Sequence, residues 1–430
     1  MRTILKVSVL ALLSLIICTP ANSQRKKDLY PKPGYNEPVI LISGSSEGKE
    51  TIINIFEITE IVGFHEPNAP RFLLMDQKGK FAMGIGGYVR AVGSYDFDGI
   101  SDNVDFIPAK IPSKDSHSSR ERFGIDASTS MLFLKMVGRS DVLGDIVVYT
   151  SANFRGNSNS FKLRNAYIQL LGFTFGYDTG MFMDLSACPP TIDYEGPNGM
   201  TFYRTAQMRY EGEIAKGLKV GIAIESPSVS GTAAPDVKIS TQRAPNIPAY
   251  IQYTWNNSGH VRVGGIYRNM SYKNEVSEKF KSINGWGIQG STTFSFYNFR
   301  VYGQYTYGKG IASYFNDLGN FDLDIVPEYG ISEGMQALRS SGWYAGLQYN
   351  FSKKVFASST FSNCNLRANK NYSQNNRAGY KDGKYLVANV FWNVSNDFQV
   401  GAEYLHGWRK DFNGEKDGAN RINICTKYYF

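Results

Sequence analysis

From Phe81 to Phe430 apolar and polar residues alternate with a period of two, in one short stretch after another. The last eleven residues, 420–430, show it most clearly. Ile422, Ile424, Thr426, Tyr428 and Phe430 fall on one face of a strand, and Arg421, Asn423, Cys425, Lys427 and Tyr429 on the other. Successive strand side chains point to opposite faces, so one face is apolar with aromatics at its end and the other is mixed and basic. The same parity sets Trp286, Ile288, Gly290, Thr292, Phe294 and Phe296 against Gly287, Gln289, Ser291, Thr293 and Ser295. It likewise sets Leu386, Ala388, Val390, Trp392 and Val394 against Val387, Asn389, Phe391 and Asn393.

The pattern predicts strands at 81–95, 122–137, 143–154, 161–171, 173–178, 202–213, 218–226, 248–255, 260–272, 284–296, 299–310, 339–351, 355–367, 383–394, 398–408 and 419–430. Their connections alternate in length. Short ones lie at 139–142, 171–172, 215–217, 256–259, 297–298, 352–354 and 395–396, and long ones at 96–121, 179–201, 227–247, 311–338 and 368–382. An even count of about sixteen strands, with short turns segregated from long loops, is the signature of an outer-membrane barrel. The predicted fold is therefore all-β, a transmembrane antiparallel β-barrel with short periplasmic turns, long external loops and one loop folded into the lumen. A soluble, exported all-β protein is the alternative, because each strand's own signal is weak.

The N-terminus changes the picture by supplying export. Arg2 and Lys6 form a basic n-region, Val7 to Ile17 is apolar, and Ala21-Asn22-Ser23 offers small residues for cleavage before Gln24, which makes 1–23 a signal peptide. Lipidation at Cys18 is disfavoured by the bulky Ile17 before it. Losing Arg2 and Lys6 lowers the formal net charge from +8 by two. Cys188, Cys364 and Cys425 then remain, odd in number and far apart, which is neither a disulfide framework nor a zinc spacing. No stretch after residue 23 approaches the ~20 apolar residues of a membrane helix, which excludes a helical membrane protein. Residues 24–80, with Pro31, Pro33 and Pro38 and a Gly/Ser stretch at 43–48, are expected to form a periplasmic lead-in, and 81–430 the barrel.

Two blocks then suggest a family. Residues 80–97 (KFAMGIGGYVRAVGSYDF) and 163–184 (LRNAYIQLLGFTFGYDTGMFMD), followed by 201–210 (TFYRTAQMRY), resemble the DcaP-like family of trimeric outer-membrane porins, in a form like those of Bacteroidetes. The resemblance implies a sixteen-stranded barrel, a homotrimer, and passage of small organic anions such as dicarboxylates. Family members can carry an N-terminal coiled-coil segment, whereas residues 24–70 show no heptads.

Function is expected in the lumen, because a barrel this wide encloses an aqueous channel unless something fills it. The lead-in is small for a plug, so an open pore narrowed by a loop is expected. The constriction candidate is 179–201, with Asp184, Asp193 and Glu195 as its acids and Pro189, Pro190 and Pro197 stiffening it. Strand parity turns Arg90, Arg209, Arg262, Arg268, Arg300 and Lys427 inward, against Asp126, Glu211 and Glu403. A basic excess suits an anion-preferring pore, since arginine forks grip carboxylates. The alternative for each is pairing within the wall.

Catalytic chemistry has little to stand on. Gly44 to Gly48 matches GxSxG, but no clear helix follows it. Gly84-Ile85-Gly86-Gly87 lacks the final glycine of a dinucleotide loop, since Val89 stands there. His65, His117, His260 and His406 show no metal-ligand spacing. The expectation is therefore no enzyme, no metal and no cofactor. Lys and Arg are dispersed, which argues against nucleic acid as a partner and leaves outer-membrane lipid, lipopolysaccharide and small anionic solutes. A barrel working through its external loops, as an adhesin or surface-binding protein, is the alternative function.

Overall fold

The structure is a computed structural model that describes residues 39–42 (backbone), 63–67, 70, 72–76, 80–98, 100, 102, 104–112, 120–255, 259–331 and 334–430. The signal peptide and the GxSxG stretch lie outside the described residues.

Two short strands come first, β1 (Val39–Ile42) and β2 (Phe72–Met75). The next are β3 (Phe81–Asp98), β4 (Arg120–Asp126), β5 (Met131–Ser140), β6 (Gly144–Asn153), β7 (Lys162–Leu170), β8 (Phe173–Thr179), β9 (Arg204–Ala215) and β10 (Leu218–Glu225). Beyond the small loop strand β11 (Val237–Ile239) follow β12 (Ile247–Trp255), β13 (Gly259–Asn274), β14 (Phe280–Phe296) and β15 (Phe299–Lys309). A loop hairpin, β16 (Ile325–Pro327) and β17 (Met335–Ala337), leads to β18 (Arg339–Asn350) and β19 (Val355–Arg367). After the one-turn helix α1 (Lys370–Asn375) come β20 (Tyr380–Asn393), β21 (Phe398–Asp411) and β22 (Lys416–Tyr429).

β4 and β5 act as one strand broken at 127–130, both pairing with β3. With that pair counted once and the loop and lead-in strands set aside, sixteen antiparallel strands close into a barrel. Closure runs through β22 on β3, from Arg421 opposite Asp96 to Tyr429 opposite Tyr88. Phe430 and Gly87 then exchange backbone hydrogen bonds of 3.0 and 3.1 Å. The sixteen expected strands are all present within a few residues of their expected ends, and the long loops share one rim.

The alternation sorts side chains as expected. Ile422, Ile424 and Tyr428 are exposed on the outside, as are Val89, Ile224, Ile288 and Val390, while Arg421, Asn423 and Cys425 point inward and are buried. A barrel in lipid has no other use for an apolar outer band. At the short-turn rim the aromatics touch one another: Phe296 and Phe299 (5.4 Å between centroids), Phe299 and Tyr349 (4.8 Å), Phe173 and Tyr210 (4.9 Å). Aromatic rings gathered at one level mark a membrane interface.

External loops turn into the lumen. Ile107 and Ala109 of the first, Phe182 of the third, and Tyr314, Phe315 and Leu318 of the sixth share one apolar cluster with the wall residues Cys364, Leu366 and Tyr380. At the opposite mouth Leu73 and Met75 of β2 pack on Ala82, Val137 and Val147. β2 pairs with the start of β3, in line with the end of β22, so the lead-in prolongs the sheet below the C-terminus.

Candidate functional site

The third loop (180–203) is strapped across the lumen by its own acids. Asp184 stands 2.7 Å from His260 Nε2 and accepts from Ser291 Oγ at 2.6 Å. Burial would raise this carboxyl, but Arg262 and His260 outweigh burial and hold it well below the usual carboxylate range. Glu403 on the wall accepts the backbone N–H groups of Ile192 (2.6 Å) and Asp193 (2.7 Å). Asp193 in turn accepts from the Phe106 N–H (3.0 Å) and from Tyr385 Oη (2.9 Å), tying the first loop to the third. The Pro190 carbonyl accepts from Asn389 Nδ2 at 2.9 Å, and Pro189 stands over Gly346. Gly199 lies so close to Trp343 and Asn363 that a Cβ would meet backbone atoms at 2.3–2.7 Å. Of the acids expected to offset the wall charge, Asp184 and Asp193 are therefore consumed as straps. Glu195 is half-buried beside Asp105 and Asp193, and burial followed by those two neighbours pushes its carboxyl up.

Of the six basic residues assigned inward by parity, Arg90, Arg268, Arg300 and Lys427 are buried. Arg268 is fully buried on Asp324 of the sixth loop at 3.0 Å and also donates to the carbonyls of Gly310 and Ser228. Arg90 donates to Thr129 Oγ1 (2.7 Å) and to the Ile192 carbonyl of the third loop. Arg300 donates to Thr293 and Ser295 within the wall. Lys427 is enclosed by the rings of Tyr88, Tyr429 and Phe64. Parity gives direction, but it cannot show whether a loop, the lead-in or the wall itself takes up the side chain. Arg209 and Arg262 keep partial exposure. Arg209 pairs with Asp178 (2.9 Å) and Glu211 (3.2 Å), while Arg262 donates to Gln252 and to the Met183 carbonyl.

The densest basic cluster lies elsewhere, on the β6–β10 wall. The ring of Tyr194, from the third loop, has the guanidinium carbons of Arg155 at 5.1 Å, Arg164 at 5.2 Å and Arg90 at 5.9 Å from its centroid. Arg155 pairs with Asp105 of the first loop at 2.5 Å. Arg204 donates to the Arg164 carbonyl at 2.8 Å. Below them on the same wall follow Arg209 and then Lys219, which pairs with Glu211 at 3.0 Å. Of the acids paired with this run the wall itself supplies Asp178 and Glu211; the rest come from segments that fold in.

One of those segments is the lead-in. Gly63 to Pro67 lies inside the barrel, where the sequence alone placed residues 24–80 in a periplasmic lead-in. Glu66 Oε1 stands 2.9 Å from Arg204 and 3.5 Å from Arg164. Tyr88 Oη donates to the His65 carbonyl at 2.7 Å. Burial and then the cations Arg90, Lys427 and Arg164 push the His65 imidazole well below its ordinary value. The chain enters past Gly84, where a Cβ would strike Pro70 at 2.4 Å.

Arg155, Arg164, Arg204 and Tyr194 escaped sequence reasoning. Ser151 pairs with Asn165 but Ala152 with Leu163, so Arg164 is the extra residue of a bulge and turns inward against simple parity. Arg204 opens its strand where the chain leaves the third loop, although parity within the expected strand 202–213 puts it outward, and Arg155 and Tyr194 lie on loops that alternation does not constrain. Among the described residues no group of three or more His, Cys, Asp or Glu is placed to hold a metal.

A profile of the DcaP outer membrane protein family matches residues 68–430. Among solved structures, the outer membrane channel DcaP of Acinetobacter baumannii superposes with a TM-score of 0.71 at 18% identity, covering 82% of this chain and 99% of its own. An anion-selective porin from Comamonas acidovorans gives 0.54 at 11% identity, covering 81% and 100%. OmpT of Vibrio cholerae, in trimer form, gives 0.51 at 12% identity, covering 81% and 99%. No curated protein matches. At these identities the superpositions establish the fold.

Proposed function

We propose a function from one premise: the chain belongs to the DcaP outer membrane protein family, and is thus an outer-membrane channel protein. In our reading it is a porin for passive diffusion of small hydrophilic solutes, preferring organic anions such as dicarboxylates. The observation that carries this is the basic run Arg155, Arg164, Arg204, Arg209 and Lys219, of which all but Arg164 keep some exposure. Arginine forks match a carboxylate with two parallel hydrogen bonds, and with water largely excluded such contacts are stronger than at a free surface. A second carboxyl on the solute could reach the next arginine in the run, which favours dicarboxylates over monocarboxylates. The solved anion-selective porin and the trimer form of OmpT support an anion preference and a homotrimer by likeness of fold. Its apolar outer band suits lipid, and lipopolysaccharide in the external leaflet. Cleavage after residue 23 and export fit that destination.

The test is single-channel recording of the purified full-length protein in a planar bilayer, with and without succinate. Current steps in groups of three that succinate interrupts support the reading. A correctly folded barrel that never conducts would sink it and move attention to the external loops.

A further inference from the structure

The segment Gly63 to Pro67 does more than enter the lumen; it spans it. At one end Phe64 packs edge-on against Phe391 of β20 (4.8 Å) and Phe356 of β19 (6.4 Å). At the other, Glu66 reaches Arg204 of β9 and Arg164 of β7. In the ring of sixteen, β20 and β9 stand eight strands apart, on opposite walls. Between them His65 lies against the third loop, its ring 5.0 Å from that of Tyr194. Five residues of the lead-in therefore bridge the channel next to its constricting loop.

The contact with the arginines is incomplete. One oxygen of Glu66 serves both guanidinium groups, while Glu66 Oε2, Arg164 Nε and Arg204 Nε are buried without a hydrogen-bond partner. Buried polar atoms left unpaired each cost free energy, so this arrangement is weaker than a forked pair. A free carboxylate that could turn its two oxygens onto the Nε and Nη edges would satisfy donors that Glu66 leaves idle. Glu66 holds its place because it is tethered, which gives it a high effective concentration at the site.

We propose that Arg164 and Arg204 form a carboxylate-binding site whose resident ligand is Glu66, and that carboxylate solutes displace the Gly63 to Pro67 bridge by competing with it. The inference rests on the anion-porin reading and adds a reason for carboxylates to pass in preference to other anions: they open the path they use. Occupancy by Glu66 lowers the apparent affinity for a solute by the fraction of time the site is free.

Succinate binding to the full-length protein in detergent, measured by calorimetry, tests this with Glu66→Gln and Phe64→Ala. The first removes the resident charge; the second releases the far anchor and leaves the charge in place. Neither residue belongs to the barrel wall, and a heat-modifiable band on a gel checks that the barrel has formed. Both variants should bind succinate roughly tenfold more tightly than the unaltered chain. Both should also carry more current in potassium chloride without any carboxylate. Arg164→Gln should weaken binding roughly tenfold in either background. Binding by Glu66→Gln and Phe64→Ala that equals that of the unaltered chain would overturn the inference. So would a rise in current with unchanged succinate affinity, which makes the segment a steric plug. Reversal potentials in a salt gradient belong to the anion-porin reading alone, so an anion-preferring channel with no effect of Glu66→Gln would refute the resident ligand and spare the porin.

Discussion

Two arginine sites on the lumen wall have the same chemistry and different company. Arg421, near the external rim, uses all three nitrogens: Nε and Nη2 donate to Asp96 at 2.6 and 3.0 Å, and its other contacts are the carbonyls of Asp102 and Asp105. Its carboxylate is fixed on the neighbouring strand, directly across the ladder. Arg164 and Arg204 share one oxygen of a carboxylate that arrives from outside the barrel and leave donors unpaired. A saturated arginine with a built-in partner staples the first loop to the wall. An unsaturated pair with a detachable partner is equipped to exchange ligands. The difference lies in where the partner comes from, since both sites are buried and both are ion pairs.

The largest effect should come from breaking the staple. Arg421→Ala leaves Asp96 buried without its counter-charge, and removing one partner of a buried pair costs about 3–5 kcal/mol. The variant should lose the folded band at a lower temperature, and its first loop should become open to protease. Next comes the exchangeable pair. The double change Arg164→Gln and Arg204→Gln should leave the melting temperature close to its original value. It should weaken succinate binding by about 1.5–3 kcal/mol, the usual worth of hydrogen bonds to a charged group, or roughly 10–100-fold. A large loss of barrel stability here, with succinate binding kept, would erase the distinction between the two sites.

The smallest effect concerns a second staple. Asp317 of the sixth loop accepts from Ala109 N–H (2.8 Å), Asn198 Nδ2 (2.9 Å) and Tyr380 Oη (2.5 Å), linking the first, third and sixth loops to β20. Burial pushes its carboxyl up to about 6, although these hydrogen bonds pull the other way. The folded state then holds the proton more tightly than the unfolded chain, whose aspartate titrates near ~3.9. Stability from this group is accordingly gained as the pH falls from 7 through 6 to 5 and lost as it rises again. The change amounts to about 1 kcal/mol over that interval. Thermal unfolding of Asp317→Asn at both pH values should lack this component.

The barrel was legible in the sequence because its signal is local. Ile422, Ile424 and Tyr428 must meet lipid while Arg421, Asn423 and Lys427 must not, and a period of two records that choice residue by residue. The third loop also announced itself, through its length and its prolines. What the lumen does with inward residues was not legible. Arg268 and Arg300 have the parity of pore-lining residues, yet one meets a loop acid and the other its own wall. Arg164 faces inward through a bulge that no alternation rule signals. Glu66 and Arg204 lie 138 positions apart in the chain, and no periodic pattern links a lead-in to a strand end. Packing inside a barrel depends on which loops fold in, and that is decided by non-local contacts.

The central claim, that a partly exposed basic wall makes this an anion-preferring channel, is tested most directly by the zero-current potential of the reconstituted protein across a potassium chloride gradient. The account predicts a potential of the sign set by chloride, smaller in the Arg164→Gln and Arg204→Gln double variant. A potential of the sign set by potassium, unchanged by those substitutions, would contradict it.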